Sequence, residues 1–150
     1  VGIDFTNNER INEIINNPNN SCFVLYPSQL SIKLNDTNIK QANKKIVIFI
    51  IDSTWPCSKK ILRLSSNIRA LPYISFEHTK ISQYKFKTQP TEQALSTIES
   101  TLCILELLNN HEIENIQEEN LKNFLEPFYQ MIIYQSDFYS NPNKKQIRYK

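Results

Sequence analysis

Ile46-Val47-Ile48-Phe49-Ile50-Ile51-Asp52-Ser53-Thr54-Trp55-Pro56 is the stretch that decides the fold class. Its first six residues are apolar and mostly β-branched, and they follow Lys44 and Lys45. An apolar run without alternation predicts a central parallel strand covered on both faces. The run ends abruptly at a carboxylate. Asp52, Ser53 and Thr54 are helix-capping types, Pro56 suits a first helical turn, and residues 58–64 continue as a basic helix. A strand running straight into a helix start belongs to an α/β protein. In open α/β sheets ligands collect outside the carboxyl ends of the strands, so Asp52 and Thr54 stand where a site is expected.

Further elements follow on either side. Thr6-Asn7-Asn8-Glu9 has the form of a capping box and is followed by Ile11, Ile14 and Ile15, which predicts a short helix ended near Pro18. Residues 22–26 read as a buried strand stopped by Pro27, and residues 28–45 as a polar loop with a helical turn. Residues 72–76 read as a third strand, and residues 84–87 as a short extended piece alternating aromatic with basic side chains. A helix capped at Thr91 or its neighbours is expected to run through Leu95, Ile98, Leu102, Leu105 and Leu108 to the Asn109-Asn110 stop. A last helix is expected over residues 118–138, with Pro127 either kinking it or marking a new start. No internal repeat or interdomain linker interrupts the chain.

Composition narrows the function. The chain has 150 residues, the size of one ordinary domain with a sizeable core. Gly2 is its only glycine, which excludes the glycine-rich dinucleotide turn and the phosphate-cradling P-loop, because both need several. Cys22, Cys57 and Cys103 are odd in number and widely spaced, which points to a reducing compartment and a cytoplasmic protein. No apolar run is long enough to cross a bilayer, and no signal peptide is evident. The chain begins at Val1 and not at Met, so a fragment or trimmed product is among the expectations.

The net charge of +2 hides an uneven distribution. Residues 56–87 carry seven basic side chains, Lys59, Lys60, Arg63, Arg69, Lys80, Lys85 and Lys87, against Glu77 alone. Residues 106–126 reverse this with six glutamates against Lys122, and residues 144–150 add four positive charges. Either one face binds a polyanion, or these are solvated helix surfaces.

Among candidate chemical groups, His78 and His111 lie far apart with no second ligand near either, so no metal site is expected and both read as solvated histidines. The cysteines read as packing residues. Asp52 is the best candidate, because a carboxylate ending an apolar strand is costly to bury without a partner or a task; the alternative is that it caps the next helix. Trp55 either fills the core or offers its face to a base or a cation.

The ordered blocks Asp52-Ser53-Thr54-Trp55, Lys59-Lys60-Ile61-Leu62, Leu71-Pro72-Tyr73-Ile74-Ser75, Ser82-Gln83-Tyr84-Lys85-Phe86-Lys87 and Gln93-Ala94-Leu95-Ser96-Thr97-Ile98-Glu99 resemble the DTW-domain family. Val1-Gly2-Ile3-Asp4-Phe5 and Leu25-Tyr26-Pro27-Ser28 resemble its upstream blocks, so the likeness covers most of the chain. The resemblance implies a tRNA-uridine aminocarboxypropyltransferase, which moves the 3-amino-3-carboxypropyl group of S-adenosylmethionine to N3 of a uridine and releases methylthioadenosine. It also implies a SPOUT-like α/β domain with a mainly parallel sheet flanked by helices and a C-terminal knot forming the cofactor pocket.

Carried over by motif, the cofactor site would comprise Tyr26, Pro27, Ser28, Asp52, Thr54, Trp55, Leu71, Pro72, Leu95, Ser96 and Thr97, with Glu99 beside it. Asp52 would accept the uridine N3 proton or orient the base, and Trp55 would contact adenosine or the sulfonium. Lys59, Lys60, Arg63, Lys85 and Lys87 would bind tRNA phosphates, and Tyr84 or Phe86 would stack on a flipped base. The chain departs from the family pattern in lacking an N-terminal cysteine cluster, in Pro56-Cys57-Ser58 after the tryptophan, and in Lys87 where arginine is frequent. The expectation is one such domain over residues 1–150, without the cysteine-rich segment and with no protein partner implied. The competing readings are a SPOUT-like RNA methyltransferase and a non-catalytic RNA-binding module.

Overall fold

Four parallel strands in the order β2-β4-β1-β3 form the sheet: β1 (Asn20–Leu25), β2 (Ile32–Lys33), β3 (Lys45–Ile50) and β4 (Tyr73–Ser75). A computed structural model describes residues 3–84 and 94–140. Among the described residues six helices accompany the strands: α1 (Glu9–Asn16), α2 (Trp55–Leu64), α3 (Ser66–Arg69), α4 (Thr97–Asn110), α5 (Glu118–Asn123) and α6 (Glu126–Ser140). The fold is α/β with a parallel sheet flanked by helices, as its sequence predicts.

Alternation along β1 explains the layering. Phe23 faces one side with Ile74, Leu34, Ile39, and Ile104 and Leu108 of α4, while Ile46 and Ile48 of β3 pack against the same cluster. Val24 faces the other side with Leu62 of α2 and Ile68 of α3, joined by Phe49, Ile51 and Ile11. Apolar side chains of β3 therefore do pack on both faces. The strand is nevertheless not central: it is the terminal strand among those described, half-buried along its apolar length, and β1 and β4 take the middle. Periodicity reports how many faces are covered, not lateral position, which is where the expectation failed.

Other boundaries moved for local reasons. Asn8, not Thr6, caps α1, its side chain accepting from the Ile11 backbone N–H at 3.0 Å. Thr6 is used elsewhere: its hydroxyl donates to the Leu64 carbonyl and accepts from the Ser66 backbone N–H, tying the first segment to the α2–α3 junction. Within the stretch read as loop, Ile32 and Lys33 pair with Ile74 and Ser75, a strand too short to leave a periodic signal. Helix α4 starts at Thr97 with Ser96 as its cap, so Leu95 lies before the helix; Thr91 lies outside the described residues. Pro127 marks a new start, with α6 beginning at Glu126 after α5 ends at Asn123. Of the extended piece expected at 84–87, residues 85–87 lie outside the described residues.

The third cluster, Leu102, Leu125 and Phe128, docks α5 and α6 on the outer side of α4 and includes Tyr84. Among the described residues no helix is long and apolar enough to cross a membrane.

Ile74 sits at the centre of β4 with 0% exposure. Truncating Ile74→Ala should cost about 2–5 kcal/mol through lost burial and an unfilled cavity, lowering the thermal midpoint by roughly 5–15 °C. Leu30→Ala, at 92% exposure, should stay within about 0.5 kcal/mol of the unsubstituted chain in the same calorimetric or denaturant experiment.

Candidate active site

Parallel pairing brings the carboxyl ends of β1, β3 and β4 to one side of the sheet, where the chain from β3 crosses over β1 to reach β4. A cavity of about 340 Å³ opens there. Leu25, Tyr26 and Pro27 line it from β1, Ile50, Ile51 and Ser53 from β3, and Ser75, Phe76 and His78 from β4. Trp55 and Ser58 line it from the first turn of α2, and Ala94, Leu95, Thr97 and Ser100 from the start of α4. This volume falls within the range of small-molecule sites.

The α2 start is built as its sequence dictates. Thr54 is the N-cap, in an extended conformation, and Pro56 falls in the first turn. The Thr54 carbonyl accepts both the Ser58 backbone N–H (2.8 Å) and the Ser58 hydroxyl (3.2 Å), and Ser58 shares a further hydrogen bond with Ser53 (2.8 Å between oxygens). Trp55, 36% exposed, tilts against Tyr26 with ring centroids 5.9 Å apart, and Tyr26 in turn packs on Tyr73 at 6.2 Å. It thus neither fills the core nor stands free, but forms part of the cavity wall.

Asp52 is exposed, and its Oδ1 accepts a hydrogen bond from the Thr97 hydroxyl at 2.9 Å. This bond joins the end of β3 to the first residue of α4, 45 positions later. Asp52 makes no side-chain cap bond to α2; that role falls to the Thr54 backbone.

Glu99 is 6% exposed and both its oxygens are occupied. Oε2 accepts from the Ser82 hydroxyl (2.7 Å), the Ser96 backbone N–H (2.9 Å) and the Ser96 hydroxyl (2.6 Å), while Oε1 accepts from the Gln83 backbone N–H (2.9 Å). Ser96 and Glu99 form a capping box at the start of α4. Burial pushes the carboxyl up, but the hydrogen bonds from Ser96 and Ser82 and from the Ser96 and Gln83 backbone outweigh it and hold the group below its ordinary value. Glu99 is therefore an ionised structural clasp.

The structure thus brings Tyr26, Pro27, Trp55, Leu95 and Thr97 to the cavity wall, with Asp52 and Thr54 exposed outside the lining, Asp52 bonded to the lining residue Thr97 and Thr54 next to Ser53 and Trp55 in the chain. Ser28 is exposed beyond Pro27, where its carbonyl accepts from the Ser31 hydroxyl at 2.8 Å. Leu71 and Pro72 precede β4: Leu71 packs with Val24 and Leu62, and the Pro72 carbonyl accepts the Val24 N–H, so neither lines the cavity. Ser96 and Glu99 hold α4 without lining it.

Lys59, Lys60 and Arg63 are exposed on α2, and Trp55, Lys59 and Arg63 follow one another at i, i+4 and i+8. Tyr84 is half-buried against Phe128, with centroids 5.7 Å apart; Lys85, Phe86 and Lys87 lie outside the described residues. Ser53 lines the cavity as part of the Asp52-to-Trp55 loop, while sequence reasoning missed Ser58, Ser75, Phe76, His78 and Ser100, and the apolar Leu25, Ile50, Ile51 and Ala94, as lining residues. Their signal was positional, since each lies at or just past a strand end, or at the starts of α2 and α4. Both histidines are half-buried and not fully solvated.

Comparison with known proteins places this arrangement in a family. The DTW domain matches residues 1–133, and the chain belongs to that family. It is similar to tRNA-uridine aminocarboxypropyltransferase 2 of Drosophila melanogaster, 29% identical over 131 residues covering 87% of this chain and 48% of that protein. The proteins of the same name from Mus musculus (29% identical) and Macaca fascicularis (30% identical) match over 99 residues, 66% of this chain and 33% of each. The chain spans about half the length of these relatives, or less. No solved structure matches it.

Glu99→Gln should lower stability at pH 7 by about 1–3 kcal/mol, because the replaced oxygen leaves buried donors unpaired. Since the folded carboxyl titrates below its ordinary value, its contribution is complete above that value and is lost as pH falls through the lower folded one. Acid unfolding followed by circular dichroism should therefore show a smaller pH dependence below about pH 4.3 in the variant than in the unsubstituted chain.

Proposed function

We propose that the chain is a tRNA-uridine aminocarboxypropyltransferase domain that transfers the 3-amino-3-carboxypropyl group of S-adenosylmethionine to N3 of a tRNA uridine, releasing methylthioadenosine. The observation that carries this reading is that Ser53 and Trp55 of the Asp52-to-Trp55 motif of a DTW domain line the cavity at the strand ends. We place the protein in the cytoplasm, where its tRNA substrate resides, and take the fold to be SPOUT-like with a C-terminal knot.

The cavity suits the donor chemically. Leu25, Ile50, Ile51, Phe76 and Leu95 offer apolar surface for adenine, and the Trp55 and Tyr26 rings offer negative faces to a sulfonium. Hydroxyls of Ser53, Ser58, Thr97 and Ser100 can bond the amino-acid end, and α2 and α4 both begin here, where the positive ends of the helix dipoles favour a carboxylate. The donor, once bound, supplies a carbon already activated by the sulfonium. The protein's task is to present that γ-carbon, and not the methyl, to the incoming nitrogen. Asp52 acts beside the cavity, holding Thr97 and orienting the uridine, and Trp55 packs against the donor. Ser28, Leu71, Pro72, Ser96 and Glu99 support this wall from behind or from the adjoining loops.

Among the described residues no carboxylate pairs with Lys59, Lys60 or Arg63, which leaves the α2 ridge open to RNA phosphates; Lys85 and Lys87, assigned to tRNA by motif, lie outside the described residues. A flipped uridine would approach along that ridge toward Trp55.

Incubation with S-adenosylmethionine and unmodified tRNA transcripts should yield methylthioadenosine and a nucleoside heavier by one aminocarboxypropyl group; adenosylhomocysteine would identify a methyltransferase instead. Asp52→Asn should slow turnover about 10²-fold with RNA affinity unchanged. Replacing Lys59, Lys60 and Arg63 together by Gln should weaken tRNA binding and lower the salt slope of log K by about 2, at roughly 0.7 per lost phosphate contact, while donor binding stays the same.

A further inference from the structure

We propose that His78 accepts the N3 proton of the uridine during transfer, an inference that rests on the function proposed above. The reaction makes a proton acceptor necessary. An imide N–H becomes an N–C bond while a cationic sulfonium becomes a neutral thioether, so one proton must leave with the charge.

Among the described residues lining the cavity, only Tyr26 and His78 carry titratable side chains. Burial, and then the neighbouring Tyr73, push the Tyr26 phenol up, so it keeps its proton. Asp52 stands outside the lining with Oδ1 engaged by Thr97, and the Glu99 oxygens are occupied by Ser82, Ser96 and Gln83. His78 is differently placed. Its Nδ1 lies 3.0 Å from the Lys80 carbonyl oxygen, which can only accept, so Nδ1 carries the hydrogen and Nε2 of the neutral ring keeps its lone pair. The Phe76 ring, 5.6 Å away and tilted by 49°, packs on the imidazole. A base whose second nitrogen is fixed by a backbone carbonyl is the arrangement general-base catalysis uses.

The charged neighbours are paired off. Glu77 bonds Lys33 of β2, and Lys80 bonds Glu106 of α4. From the other elements around the cavity, β1 contributes Tyr26 and the end of β3 contributes Asp52. In the step itself, the N3 proton passes to Nε2 and the N3 electron pair forms the bond to the γ-carbon. The carbon–sulfur bond breaks with its electrons going to sulfur. The products are the N3-substituted uridine, methylthioadenosine and an imidazolium, which returns its proton to solvent.

The test uses the full chain with S-adenosylmethionine and tRNA transcript, following methylthioadenosine across pH 5–8, the range in which histidine changes charge. The unsubstituted chain should show a rate that falls toward acid. His78→Gln and His78→Ala should lose about 10²–10⁴-fold and flatten that limb, with donor binding and thermal midpoint retained, and added imidazole should restore part of the His78→Ala rate. Independently of activity, ¹⁵N shifts of the neutral imidazole in the free protein should show His78 protonated at Nδ1 and bare at Nε2. Unchanged rates and pH profile in both variants, a loss that imidazole does not rescue with the acid limb intact, or the opposite tautomer would each overturn the assignment. Absence of methylthioadenosine from the unsubstituted chain would instead overturn the proposed function on which it rests.

Discussion

The buried Glu99 carboxylate is the interaction on which the site depends. It is nearly inaccessible, and a charge in that position persists only because hydroxyl and backbone donors from Ser82, Gln83 and Ser96 surround it. Those donors come from two segments. Glu99 therefore fixes where α4 begins and also pins the 82–83 loop against it. Because Thr97 and Ser100 lie on that first turn and Ala94 and Leu95 just before it, the clasp sets one wall of the cavity. The Thr97–Asp52 bond then joins that wall to the end of β3, so the DTW motif and the α4 start are held in register by two short contacts.

The opposite wall follows from the sheet. The β3-to-β4 crossover passes over β1, and the three carboxyl ends converge where α2 starts. Tyr73, Tyr26 and Trp55 form a chain of tilted rings from the sheet toward the cavity, stiff groups that hold their positions at low entropic cost. Trp55 owes its half-exposed position to this packing.

Much of this was legible in the residues. The uninterrupted run at 46–51, its end at Asp52 and the proline two residues after Thr54 announce a βα unit, because each signal is local. What was not legible depends on partners distant along the chain. The edge position of β3, the two-residue β2 and the placement of Leu71 and Pro72 just before β4, away from the cavity lining, are all decided by pairing, which one strand's pattern does not encode. The α4 boundary is different: Ser96-Thr97-Ile98-Glu99 carries the same capping form as residues 6–9. At 6–9 the pattern is misleading because Thr6 bonds Leu64 and Ser66, whereas at 96–99 the cap forms, so the same local signal has opposite outcomes according to tertiary contacts. His78 was invisible for a related reason, since only the strand end beside it defines the cavity it lines.

The distribution of charge suits the proposed transfer for a reason that concerns the transition state. As the bond to sulfur breaks, the positive charge of the donor disperses, so a fixed carboxylate beside the sulfonium would stabilise the ground state more than the transition state and slow the reaction. Among the described residues the cavity lining contains no aspartate, glutamate, lysine or arginine. Aromatic faces and hydroxyls supply weaker contacts whose loss along the reaction costs less. Asp52 stays outside the lining, exposed and bonded to Thr97, and the cationic ridge of α2 is likewise outside, where long-range attraction can draw a polyanion without repelling the cationic donor. An imidazole fits this interior better than a carboxylate, since taking up the proton adds its positive charge only as the sulfonium charge disappears.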